Sequence, residues 1–333
     1  EYPEQMESRD STLRMYGIRG EVESSQLIIT PQIDVDTFSV EVNDLLTADG
    51  KKIGKSKVEV FCQWYVNVEG SYNVAAGNGM YPDALVPFKT LRKARLNYIL
   101  AGTNQGLWIQ VTIPENAEAG KYTGTATLTL DAEKFDIPIE LTVYDATMPE
   151  EVHTHSCYRI EYDYMFKAEG TNSGDLAQAY YDFLVSKRVA PLKAEDSIWK
   201  MSNVDGYVDW VVEQTKNPMV SNYTLPYRTD TYELGKIVGR DGIIELLSAM
   251  AEKNIELRKA GDESIDLFKK ASYYLGAICD EPSGHRVQIA KDCDLIIYQC
   301  KREVADKYFK EYPDLYESCM KVPHIVTSAY NPE

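Results

Sequence analysis

The apolar residues of this chain keep one period up to about residue 147 and another after it. That change constrains the fold more than any other feature. Phe38, Val40 and Val42 alternate with polar residues, as do Val58 and Val60, and Leu107, Ile109, Val111 and Ile113 keep the same period of two. In residues 122–130 every second position from Thr123 to Thr129 is Thr. In the next segment Phe135, Ile137, Ile139, Leu141 and Val143 share one face, and Asp131-Ala-Glu-Lys134 is the turn between the two. Such alternation puts one face of a strand in a core and the other in water. Residues 1–147 are therefore predicted to form an antiparallel β-sandwich, its strands punctuated by Gly and Pro as in Tyr81-Pro82-Asp83 and in Gly77-Asn-Gly79, which reads as a turn.

Past Pro149, strand and helix patterns alternate. A first strand is predicted over residues 155–160, a weak second over 191–194, a third over 219–225 and a fifth over 322–328. Between them lie helical stripes: Leu176, Ala179, Tyr180, Phe183 and Leu184; Val208, Val211 and Val212; Ile243, Ile244, Leu247 and Met250 behind a cap at Asp241; Cys293, Ile296, Ile297, Cys300 and Val304. Repeated β-α units with buried strands imply a parallel sheet. Their pace suits a (β/α)8 TIM-type barrel, of which residues 148–333 would be the N-terminal part, incomplete at the C-terminus. An open, flavodoxin-like sheet of five strands is the alternative.

The fourth strand carries the chemistry. In Ser272-Tyr-Tyr-Leu-Gly-Ala-Ile-Cys-Asp-Glu-Pro282 a short uncharged run leads straight into two adjacent carboxylates and a proline. It reads as a strand buried on both faces and ended by Pro282, which has no N–H to donate. Asp280 and Glu281 then sit at its carboxyl end, where barrels and open α/β sheets place reacting groups. The same two residues also suit a strand-end turn or a helix-capping pair.

With 52 acidic and 35 basic side chains the net charge is −17. An acidic chain with no Lys/Arg cluster argues against nucleic acid and anionic membranes as partners. No apolar run is long enough to span a bilayer. The first residue is Glu1 and not Met, which suits a secreted or cell-surface protein whose signal segment has been removed. The six cysteines, at 62, 157, 279, 293, 300 and 319, lack disulfide or metal spacing and read as buried free thiols. His153-x-His155-x-Cys157 puts three metal-capable side chains on one strand face, but at the amino end of that strand; no metal or cofactor is expected.

Gly20-Glu-Val-Glu-Ser-Ser-Gln26, Tyr81-Pro-Asp-Ala-Leu85, Asn104-Gln-Gly-Leu-Trp108 and Ala119-Gly-Lys-Tyr-Thr-Gly124 resemble the N-terminal sandwich of glycoside hydrolase family 123. Asp280-Glu281-Pro282 is similar to that family's catalytic pair at a strand end. The resemblance covers most of residues 13–149 and thins to spaced patches beyond. It implies a bacterial enzyme of sandwich-plus-barrel architecture, an exo-acting β-N-acetylgalactosaminidase, whose partner is a glycan or glycoconjugate. It further implies retaining, substrate-assisted hydrolysis, in which the substrate's 2-acetamido oxygen attacks the anomeric carbon. Asp280 would hold the acetamido group and Glu281 would be the general acid/base. Neighbouring carboxylates push each other's proton affinities apart, as that division of labour requires.

Tyr158, Arg159 and Glu161 near the end of the first strand, and Asn222 and Tyr223 on the third, are further candidates to bind substrate. Trp199, in a loop, suits stacking on a sugar, whereas Trp210 beside Val211 suits the core. A tyrosine that hydrogen-bonds the acetamido oxygen is expected of the mechanism, without a sign of which. The competing reading is a non-catalytic carbohydrate-binding or scaffold protein with a degenerate barrel.

Overall fold

A computed structural model of the chain describes residues 11–70, 77–192 and 203–326. The chain divides into two compact units, Glu1–Met148 and Pro149–Glu333.

The first unit is two sheets over one core. Its elements are β1 (Leu13–Arg19), β2 (Val22–Ile29), β3 (Phe38–Val42), β4 (Leu45–Leu46), β5 (Lys52–Ile53), β6 (Val58–Val68), β7 (Gly79–Pro87), α1 (Phe88–Lys93), β8 (Gln105–Thr112), β9 (Gly120–Leu130) and β10 (Glu133–Thr147). One sheet runs β1-β10-β9-β4-β5, with β3 also on β9; the other runs β2-β8-β6-β7. Leu107, Ile109 and Val111 of the second sheet share a core with Leu13, Met15, Ile139, Leu141 and Val143 of the first. Each such side chain contributes about 1.5–3 kcal/mol by leaving water. β9 and β10 form a hairpin whose turn passes through Asp131 at φ 49°. Along β10 the alternation holds from Ile137 to Val143, but Phe135, nearer the turn, is exposed. Among the described residues of this unit every ladder is antiparallel except that of β1 on β10, which runs parallel from Leu13↔Ile139 to Arg19↔Thr147.

Two of the motif segments have clear physical reasons. A Cβ on Gly106 would fall 1.8 Å from Gln63 Oε1, so only glycine leaves room for that buried amide. Gln63 Oε1 in turn accepts from Gln26 Nε2 at 2.9 Å, joining β2 to β6 across β8. Tyr122 is buried and its hydroxyl donates to Glu118 O at 2.9 Å, which pins the entry to β9.

The second unit contains α2 (Tyr162–Glu169), α3 (Gly174–Ser186), α4 (Val204–Lys216), β11 (Tyr223–Thr224), β12 (Thr229–Tyr232), β13 (Gly235–Val238), α5 (Arg240–Lys259), β14 (Ala271–Tyr274), α6 (Gly276–Cys279), α7 (His285–Tyr308), α8 (Pro313–Lys321) and β15 (His324–Ile325). Local chemistry starts the helices: Ser173 Oγ accepts from Leu176 N–H, and Asn203 Oδ1 from Gly206 N–H. β11, β14 and β15 form a parallel sheet in that order, and β12–β13 is a hairpin. Ile243, Leu247 and Met250 of α5 pack with Cys293, Ile297, Cys300 and Val304 of α7 in one core with Tyr223 and Tyr273.

The strands are shorter than the apolar runs suggest. The first predicted strand is reduced to a parallel bridge between Tyr158 and Pro191. The segment 152–158 also touches 218–222, since Val152 N–H donates to Pro218 O and Ser156 N–H to Asn222 Oδ1. The two partners advance in step, so these segments run in the same direction. On α3 the buried side chains are Tyr181 and Val185, while Phe183 is 60% exposed. The helix carries two overlapping apolar stripes, and packing selects the one that includes Tyr181. Asp241 lies in the first turn of α5, whose N-cap is Gly239, and makes no capping bond.

Candidate active site at the carboxyl end of β14

β14 is buried along its whole length but ends at Tyr274, six residues before Asp280. The expected single strand from 272 to 282 is thus a strand followed by a turn. Leu275 leads into one turn of helix, α6, and Leu275 and Cys279 are buried. A Cβ on Gly276 would lie 2.2 Å from the Tyr274 ring, so glycine lets the chain fold back over that ring. A short apolar run cannot by itself be assigned to strand or helix, and here it is both.

The turn brings the two carboxylates to the surface. Asp280 caps α6 in an extended conformation, and both Asp280 and Glu281 are exposed. Glu281 has φ 44°, in the left-handed region. Three other non-glycine residues share that region among the described ones: Asp131 in the β9–β10 turn, and Arg95 and Arg188, each just past a helix end. Glu281 likewise stands just past a helix end, after the C-cap of α6, but Pro282 behind it favours extended backbone instead. A non-glycine residue held left-handed costs about 1–2 kcal/mol. Such strain persists where surrounding structure imposes it.

Beneath this turn lies a buried group. Cys279 lies in one core with Cys293 of α7, and both thiols are out of contact with water. Burial raises the Cys279 thiol and pushes Cys293 up to about 12, so neither is a nucleophile near neutral pH. Tyr227 follows β11 and is fully buried beside Cys279, Cys293 and Tyr274. Its hydroxyl has no hydrogen-bond partner among the described residues, and burial raises its proton affinity. Arg286 of α7 donates to Ile278 O at 3.2 Å, which ties the turn to the helix.

The remaining candidates fall in different places. Tyr158 is 57% exposed, and its backbone pairs with Ala190 and Leu192. Arg159 is exposed and ion-paired with Glu161 at 2.9 Å. Asn222 is buried, and its Oδ1 accepts from Ser156 N–H and Ser221 Oγ. It holds neighbouring segments together. Tyr223 is likewise enclosed: its hydroxyl donates to Leu267 O at 2.6 Å and meets Thr215 Oγ1 at 3.0 Å. Burial raises its proton affinity strongly. Trp210 packs against Tyr181, Tyr207 and Tyr223, in the core as expected. Trp199 lies outside the described residues.

All six cysteines are free thiols, and five are buried. His153 and His155 are exposed. Among the described residues no group of three or more His, Cys, Asp or Glu is arranged to hold a metal ion, and no helix is long and apolar enough to cross a membrane.

Two features were missed in the sequence. Tyr227 stands two residues past the third predicted strand, and the Leu225-Pro-Tyr227 step is the only sign of it. The second corrects the reading that the chain lacks a basic cluster. Lys89, Arg92, Lys93 and Arg95 lie together on α1 and the turn after it.

Residues 1–130 match the family model of the glycoside hydrolase 123 N-terminal domain. No curated protein sequence matches the chain. Among solved structures, a family 123 glycoside hydrolase from Clostridium perfringens, described for glycolipid glycan hydrolysis, superposes with a TM-score of 0.55 at 13% identity. The match covers 86% of this chain and 57% of that one, so the chain spans little more than half the length of the enzyme it resembles. Two further matches rest on part of the chain. A PapD-like domain of human CEP192 has TM-score 0.23 and 13% identity, covering 42% of this chain and 84% of that one. The fimbrial subunit MyfA of Yersinia enterocolitica, solved with galactose, has TM-score 0.21 and 13% identity, covering 41% and 92%. Overlaps that low carry no argument about this protein. The N-terminal match and the shared fold agree with the motif segments: residues 1–130 match the N-terminal domain of glycoside hydrolase family 123, and the chain is similar in fold to an enzyme of that family.

Proposed function

We propose that this chain belongs to a glycoside hydrolase that releases terminal β-linked N-acetylhexosamine, most simply N-acetylgalactosamine, from glycans or glycoconjugates. The observation that carries the reading is the exposed Asp280–Glu281 pair in the turn that follows a buried parallel strand, with Glu281 in a left-handed backbone. In the proposed reaction the acetamido oxygen of the substrate attacks the anomeric carbon. The aglycone oxygen leaves with a proton from Glu281, giving an oxazolinium ion that Asp280 orients and stabilises. The Glu281 carboxylate then takes a proton from water, which attacks the same carbon from the face the aglycone left and reopens the ring, so configuration is retained. The substrate supplies the nucleophile, so neither metal nor cofactor enters a step.

We assign Tyr158 and Arg159, which are exposed, to the rim of the site, and Asn222 and Tyr223, which are buried, to the frame of the fold. The parallel run β11-β14-β15, with helices between, supports reading the second unit as part of a (β/α)8 barrel. The fold likeness to the family 123 enzyme supports it too.

The test is hydrolysis of aryl β-N-acetylhexosaminides by the protein and by two variants. Glu281→Gln should lose about 10²–10⁴-fold in kcat on a 4-nitrophenyl glycoside and much less on a 2,4-dinitrophenyl glycoside, whose leaving group needs no proton. Asp280→Asn should stay slow on both, because the charge that stabilises the oxazolinium is gone. A wild-type protein inert on the whole panel, or two fully active variants, overturns the proposal.

A further inference from the structure

The first unit carries a second concave site. Ser39 and Glu41 of β3 and Phe88, Lys89, Arg92 and Lys93 of α1 line a cavity of about 510 Å³. That is within the range of pockets that hold small ligands. Its charge runs against the rest of the chain. Between residues 84 and 114 there are four cations, Lys89, Arg92, Lys93 and Arg95, and no carboxylate, in a protein of net charge −17. All four are exposed. None of their side chains makes an ion pair or hydrogen bond with a described residue. Elsewhere on the same unit several cations are matched: Arg19 with Asp145, Lys51 with Glu118, Lys52 with Asp44 and Lys121 with Glu140. A concave surface that gathers like charges and leaves them without partners is set for an anion.

Glu41 narrows the class. It stands in the same cavity, where a ligand that is only negative, such as a nucleic acid backbone or an acidic lipid surface, would meet repulsion. A saccharide that carries sulfate or carboxylate groups beside hydroxyls suits both signs. Its anionic groups meet Lys89, Arg92 and Lys93, its hydroxyls donate to the Glu41 carboxylate, and Ser39 adds a polar contact. Phe88, half-buried at the wall, offers an apolar face to a sugar ring. We propose that this cavity is an accessory binding site for an anionic saccharide, separate from the carboxylate pair of the second unit.

The test is calorimetric titration of the protein with a chondroitin 6-sulfate tetrasaccharide and with its desulfated counterpart. The sulfated probe should bind, more weakly at about 300 mM than at about 50 mM NaCl, and the desulfated one should bind at least about tenfold less well. The triple variant Lys89→Gln, Arg92→Gln, Lys93→Gln should lose about tenfold or more in affinity with an unchanged melting temperature, since the side chains are exposed. Lys89→Arg with Lys93→Arg, which keeps the charge, should retain binding. No binding of the sulfated probe by the wild type, or full binding by the triple Gln variant, overturns the proposal. So does capture by phosphatidylserine vesicles of a protein that ignores the tetrasaccharide, which would make the patch a lipid contact.

Discussion

Replacing Glu281 by glycine and by alanine separates what its backbone costs from what its carboxylate does. Both variants lose the carboxylate and every contact it makes, so the difference between them reports the backbone. Alanine keeps the Cβ and therefore the penalty of φ 44°, about 1–2 kcal/mol. Glycine removes that penalty but gives the unfolded chain more freedom, worth about 0.5–1 kcal/mol against it. The Gly variant is thus expected to be more stable than the Ala variant by about 0.5–1 kcal/mol. The restriction that Pro282 adds moves the difference toward the upper end. For a domain the size of the second unit, 1 kcal/mol corresponds to about 2–4 °C in melting temperature. Thermal unfolding followed by circular dichroism resolves that shift, and hydrolysis of an aryl glycoside is read on the same samples. Both variants should be inactive, and the glycine variant should melt about 1–4 °C higher than the alanine one. A glycine variant no more stable than the alanine variant would refute the strained turn. Activity in either would refute the role of the carboxylate.

Tyr223→Phe removes the donor to Leu267 O and should cost about 1–3 kcal/mol in urea unfolding with KM unchanged, because Thr215 Oγ1 keeps its bond to Val211 O and the buried carbonyl alone is left unpaired. A raised KM at unchanged stability would return Tyr223 to the substrate. His324 is held below its ordinary 6.5 by burial and by Lys301, against the pull of Asp294. The unfolded chain then binds the proton more readily, so stability should fall as pH drops below about 6.5 and level off once the folded state is protonated. Urea midpoints at about pH 7 and about pH 5 should lie closer together in His324→Gln than in the wild type; an equal gap removes His324 as the cause.

The sandwich strands were legible because a half-buried strand writes its two faces into alternate residues. Leu107, Ile109 and Val111 point one way into the core and their neighbours the other, and the β9–β10 hairpin adds a short turn between two such patterns. The core faces of α4, α5 and α7 were legible for the same reason at helical period. The pairing of β1 with β10 has no local signature, since it joins residues more than a hundred positions apart. The end of β14 was misread because Leu275, Ile278 and Cys279 are as buried in a turn as they would be in a strand. At the candidate site, the Asp280–Glu281 pair stood out as two charges after an uncharged run. The twist of Glu281 did not, because glutamate gives no hint of a left-handed backbone. Tyr223 and Asn222 looked available only because a strand's two faces cannot be told apart when both are covered. The basic cluster went unseen because its cations are spread over seven residues among apolar ones, and one turn of helix gathers them.

The parallel ladder of β1 on β10 has a consequence for how the chain is made. Leu13 finds its partner in Ile139. The first strand leaves the ribosome with nothing to pair with until nearly the whole unit has followed. Closing a loop of that length costs on the order of 4 kcal/mol in chain entropy, all of it due at the last strand. Until then Leu13 and Met15 have no core to enter, and β9 with β3 offers a sheet open on the β10 side. The sandwich therefore assembles in one late step, and the nascent chain depends on whatever shields an apolar strand in the meantime.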